Sequence, residues 1–115
     1  MDRALIVRKV WLDKIFDEGK IWEMRSRPTK IRGTVGLIEA GSGLIVGSVD
    51  LDDCLKLPIH QLPHYLNYHK VSDENLFDKW PYAWVLSLAE RFKKPIPYKH
   101  PKGAVIWVKI DLHNQ

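Results

Sequence analysis

The chain has 115 residues, 45% of them hydrophobic, a net charge of +4 and an isoelectric point near 9.2. That is enough for one core and one domain, residues 1–115, and too little for two. No apolar run approaches the roughly 18 to 20 residues of a bilayer-spanning helix, and the single cysteine, Cys54, excludes an internal disulfide.

The N-terminus, MDRALIVRKV, holds a four-residue apolar patch followed by charges. It is too short for the apolar region of a secretory signal, so a cytoplasmic protein without membrane association is expected. Ala4 to Val7 reads as a short buried strand. Val10 to Asp17 reads as a helix, because Trp11 and Ile15 share one side and Leu12 and Phe16 extend the stripe. Gly19 suits the left-handed geometry that ends a helix. Lys20 to Ser26 reads as a strand broken by Pro28. Thr34 to Ala40 and Leu44 to Leu51 read as a hairpin about Gly41-Ser42-Gly43.

Further along, Leu57 to Lys70 reads as helical in part, interrupted by Pro58 and Pro63, and Asp73 to Lys79 as one more helical turn. Tyr82 to Leu88 is aromatic and β-branched enough for a strand. Lys94 to Pro97 is extended, since each proline pushes its predecessor out of the helical region. Ala104 to Leu112 alternates as a final strand. There is no repeat and no linker. The expected fold is α+β and mainly β: a small barrel of five or six mostly antiparallel strands with two or three short helices at its ends. Closure would also remove exposed strand edges.

The chemistry concentrates in GKIWEMRSRPTKIRG. Between Lys20 and Arg32 it carries five Lys and Arg and one Glu, a surplus equal to that of the whole chain. Strand alternation puts Ile21, Glu23, Arg25 and Arg27 on one face, and Trp22, Met24 and Ser26 on the other. Glu23 and Arg25 are then about 7 Å apart. Lys20 has the opposite parity, but it follows Gly19 and has a long side chain, so it could meet Glu23 in one pocket. A buried lysine beside a carboxylate can act as nucleophile, base or acid. The same residues could equally form a structural ion pair. Arg27, Lys30 and Arg32, on a proline-broken connection, are candidate phosphate contacts or simply a solvated loop.

Other groups carry less. Of the five tryptophans, Trp11, Trp84 and Trp107 sit in core-like patterns, whereas Trp22 and Trp80 are open to either reading. Cys54 follows Asp50, Asp52 and Asp53, which disfavour a thiolate. His60, His64 and His69 lack a metal-binding pattern and read as polar surface histidines, so neither a metal nor a cofactor is expected. The GSG turn needs no ligand to explain it.

Trp11, Lys20-Ile-Trp-Glu23-Met-Arg25-Ser26 and Arg32-Gly33 resemble the ASCH domain, a relative of the PUA fold. Val46-Gly-Ser-Val49, Tyr82-Ala-Trp-Val-Leu86, Pro95-Ile-Pro97, Gly103 and Trp107 extend the resemblance over the whole chain. In one departure, the family's glycine two residues before the motif lysine is here Glu18, with Gly19 displaced by one. The resemblance implies a PUA-like barrel with a cleft beside the motif strand, and association with RNA or a modified nucleobase; Arg25, Arg27, Lys30 and Arg32 are the basic residues expected to contact it. It implies, as an alternative, a hydrolase with Lys20 catalytic, acting on N4-acetylcytidine-type nucleosides or on RNA; Glu23, close to it in the strand, is the expected proton partner. The amidohydrolase branch has a threonine where this chain has Glu23, so that role does not carry over. No residue is assigned to its later glutamate, although Glu74 lies in the right region. The sequence names no protein partner.

Overall fold

Residues 1–111 are described by the structure, a computed structural model. Strand β1 (Arg3–Val7) buries Ala4, Leu5 and Val7 and leads directly into helix α1 (Lys9–Asp17), which buries Leu12 and Ile15. Then come β2 (Trp22–Arg25), β3 (Gly33–Glu39) and β4 (Leu44–Lys56). A 3-10 helix (Ile59–Tyr65), the single turn α2 (Leu66–His69) and a second 3-10 helix (Glu74–Asp78) follow. Strands β5 (Tyr82–Pro97) and β6 (Trp107–Lys109) complete the order.

The strands form one sheet in the order β2-β5-β4-β3-β1-β6. Only β1 with β3 is parallel, in register from Ala4↔Gly36 to Val7↔Glu39, and the other pairs are antiparallel. The expected hairpin is present, with Glu39 opposite Leu44. Three register shifts along β4–β5 bend the pair, so that it carries strand pairing well past Leu51 and Leu88. The extended Lys94–Pro97 segment is thus the end of β5, where Pro97 lies opposite Leu44.

Two expectations are corrected. The barrel does not close. Both sides of β1 are taken, by β3 and β6, and β6 is only three residues long, so β2 has no ladder to complete. The final strand is also shorter than Ala104 to Leu112; Leu112 lies outside the described residues, and the chain from Tyr98 to Ile106 is irregular.

The main core joins Leu5, Leu12, Val35, Leu37, Leu51 and Trp84 between sheet and helix. A second core, with Trp22, Met24, Leu62, Val71 and Phe77, seats the short helices against β2. Helix α1 comes so close to β4 that a Cβ on Gly47 would lie 2.6 Å from the Phe16 ring and 2.3 Å from the Glu90 carbonyl oxygen. Both faces of β2 are therefore covered, and the seam beside it is where the site lies.

Candidate functional site

The turn after α1 delivers Lys20 inward. Gly19 adopts φ +72°, and the amides of Glu18 and Lys20 both return to the carbonyl oxygen of Lys14. The left-handed residue is thus in place with Glu18 at the preceding position. The Lys20 side chain is completely buried. Its Nζ donates to the carbonyl oxygens of Trp22 at 2.7 Å and His69 at 2.5 Å, and lies 3.6 Å from Glu23 Oε1. It also sits 4.9 Å from the centroid of Trp11. Burial pulls Lys20 down to about 8, against the opposing attraction of Glu23. At neutral pH it is still an ammonium, held by two carbonyl acceptors and the nearby charge of Glu23.

Strand parity then places Glu23 and Arg25 together. Arg25 donates from Nε at 3.1 Å and from Nη2 at 2.9 Å to the same oxygen, Glu23 Oε2. Its Nη2 also donates to the Ile6 carbonyl at 2.9 Å, bridging the open seam between β2 and β1. The guanidinium lies 5.4 Å from the centroid of Trp84. Glu23 is only 4% exposed, and two cations make such burial tolerable. Behind Lys20, the His69 ring is fixed on both nitrogens. The Val71 amide donates to Nδ1, so Nε2 carries the proton and donates to the Leu62 carbonyl.

Glu23 and Arg25 open onto a cavity of about 250 Å³ at the seam, with Trp11, Trp80, Arg8 and Val105 among its walls. Trp11 and Trp80 meet edge to face at 5.9 Å. A larger hollow of about 540 Å³ lies between α1 and β5. Four of its charged side chains pair with one another, Lys9 with Asp13 at 2.7 Å and Arg91 with Asp17 at 3.0 Å. The smaller cavity is the better candidate because it presents a buried carboxylate, an arginine and aromatic walls together.

An ASCH domain profile matches residues 5–96, most of the chain and all of the site except Val105. The chain belongs to the ASCH domain family. The ASCH fold is PUA-like and is commonly linked to RNA binding. The crystal structure of ASCH from Zymomonas mobilis is similar with a TM-score of 0.72 at 12% identity, covering 96% of this chain and 88% of that one. Two point mutants of that protein match with a TM-score of 0.71 at 12% identity, covering 96% of this chain and 90% and 88% of theirs. At that identity the likeness is one of fold. No curated protein sequence matches significantly.

Within this ASCH domain, the expected residues divide into three groups. Glu23 and Arg25 line the cavity. Lys20 contacts Glu23 but does not line the cavity. Arg27, Lys30 and Arg32 are exposed on the β2–β3 connection, outside the cavity. Arg32 bonds the Thr29 and Ile31 carbonyls and lies 3.8 Å from Asp53, while Arg27 and Lys30 have no carboxylate partner among the described residues. Sequence reasoning missed Arg8; Trp11, expected in the core, packs against both core clusters and also walls the cavity. Only the abrupt β1–α1 junction hinted at Arg8. His69 was passed over as a polar surface residue, and it is fully buried.

Proposed function

We propose that this ASCH domain binds RNA by taking one base, or a free nucleoside, into the cavity beside β2. The observation that carries the reading is the Glu23 carboxylate, buried between Lys20 and Arg25 and facing a cavity with two tryptophan walls. A cavity of this volume is smaller than the roughly 300–1,000 Å³ of drug-sized sites and suits a single planar ring. Stacking on an indole contributes about 1–3 kcal/mol. The bonds of Arg25 use Nε and Nη2, leaving Nη1 to donate to a ring nitrogen or carbonyl. Glu23 Oε1 is the acceptor left for an amino or imino N–H. Arg8, at the rim, has no carboxylate partner among the described residues, and with Arg27, Lys30 and Arg32 it supplies phosphate contacts.

Filter binding of single-stranded RNA, with titration of free nucleosides, tests this. Affinity should fall steeply with salt, and Glu23→Gln should weaken nucleoside binding about tenfold while the protein stays folded. Absence of any RNA or nucleoside binding at low salt would remove the proposal.

One observation favours a hydrolytic second reading: Lys20 is pulled to about 8 beside a carboxylate. In that reading Glu23, which faces the ligand, handles the proton, and Lys20 sets its charge or, once deprotonated, acts as base. Turnover of N4-acetylcytidine or RNA by wild type and Lys20→Ala decides it. Equal rates would exclude Lys20 from the reaction.

A further inference from the structure

We propose that a second basic surface, built from the end of β5, the following loop and the β3–β4 turn, is a phosphate track that carries single-stranded nucleic acid away from the cavity. The proposal rests on the nucleobase reading of the cavity. From Arg91 to Ile110 the chain has six Lys and Arg and no Asp or Glu. That surplus exceeds the whole chain's +4, so the rest of the molecule is net negative. Lys93, Lys94, Lys99, Lys102 and Lys109 are all exposed, and none forms a salt bridge among the described residues. Arg91 alone in this run is paired, with Asp17 and Asp13.

The surface is grooved, and the grooves follow on from the cavity. Ala40 and Val105 belong to the cavity wall. Their chain neighbours, Gly41 and Ala104, lead to a hollow of about 220 Å³ lined by Gly41, Gly43, Tyr98 and His100. Tyr98 also lines the next hollow, of about 180 Å³, where Lys99 and Lys109 meet, with Asp111 at its edge. The loop between them is built rather than loose. His100 Nε2 donates to the Ala104 carbonyl at 2.9 Å, and the Tyr98 hydroxyl donates to His100 Nδ1 at 2.7 Å. The turn glycines put no side chain in the way; a Cβ on Gly41 or Gly43 would meet nothing within 4 Å.

Charge complementarity calls for a polyanion. The aromatic ring of Tyr98 midway along the grooves, and the indole walls at the cavity end, suit bases on a sugar–phosphate chain better than an acidic peptide. The cavity takes one base, and the following phosphates lie along the turn and the lysines.

The test compares wild type with a Lys99→Gln, Lys102→Gln, Lys109→Gln triple variant, all three at exposed positions. The probes are free cytidine and a single-stranded RNA of about 12 nucleotides, within the ~4–16 nucleotides of known single-strand sites. The triple variant should bind the RNA about tenfold more weakly between about 50 and 200 mM salt, with a log–log salt slope smaller by about 2, since each phosphate contact contributes about 0.7. Cytidine binding should not change. An unchanged RNA affinity and slope overturns the track and leaves the cavity reading standing. Loss of RNA affinity in a protein that binds no nucleoside upholds the track and overturns the cavity reading. Displacement of the RNA from wild type by polyglutamate as readily as by unlabelled RNA overturns the assignment to nucleic acid.

Discussion

Lys20 keeps its charge in a place that water barely reaches, and that has a measurable consequence. Its folded pKa, about 8, lies below its ordinary value of 10.5 because burial disfavours the ammonium. Between those values the unfolded chain binds more protons, so stability rises with pH. At roughly 1.4 kcal/mol per pH unit of separation, urea unfolding should show wild type gaining about 2 kcal/mol from pH 7.5 to 9.5. Lys20→Met should not gain it. A flat wild-type profile would mean that the ammonium is better compensated than this burial implies. The facing of Glu23 and Arg25 was legible from the strand period alone, because alternation leaves them no other arrangement. The meeting of Lys20 with Glu23 was legible only as an option, since it depends on the turn at Gly19. That Lys20 stays off the cavity wall was not legible at all: one of its acceptors, the His69 carbonyl, comes from 49 residues downstream.

Among the elements, the α2 turn is the one tied most directly to the site. His69 is held neutral with both nitrogens engaged, and burial lowers its pKa below 6.5, with Lys20 adding to the effect. The groups facing it are Lys20, the Leu62 carbonyl, the Val71 amide and the Phe77 ring at 5.1 Å. A lowered histidine pKa gives stability that is present above pH 6.5 and lost as pH falls through the folded value. The melting temperature of wild type should therefore drop between pH 7 and 5 more than that of His69→Gln. Equal drops would place the acid sensitivity elsewhere. Packing of α1 on β4 makes a second demand. Gly47→Ala forces a methyl against the Glu90 carbonyl and Phe16, and should destabilise by about 1–3 kcal/mol in urea unfolding. Strand and helix positions were readable from periodicity and turn residues. The length of β5 was not, because the prolines near its end look like a break until β4 is seen to run alongside them.

At the scale of the molecule, the unclosed sheet creates the site. A closed barrel would have paired β2 with β6, the other edge of the sheet, and left no open seam beside β2. Here Arg25 spans that seam, holding Glu23 with one edge and Ile6 with one N–H. Arg25→Lys loses the planar fork that makes these contacts together. It should increase amide hydrogen exchange at Met24 and in β1 while leaving β3–β4 protected; uniform exchange across the sheet would contradict the bridging role. Closure was not legible in the sequence, since the strand count permits a barrel and only the three-residue extent of β6, with both sides of β1 occupied, prevents it. The most direct measurement of the nucleobase reading follows the five tryptophan indole N–H signals by NMR during titration with cytidine. The signals of Trp11 and Trp80 should shift while Trp107 stays still, and Glu23→Gln should reduce the effect. Shifts absent from Trp11 and Trp80, or unchanged in Glu23→Gln, would contradict it.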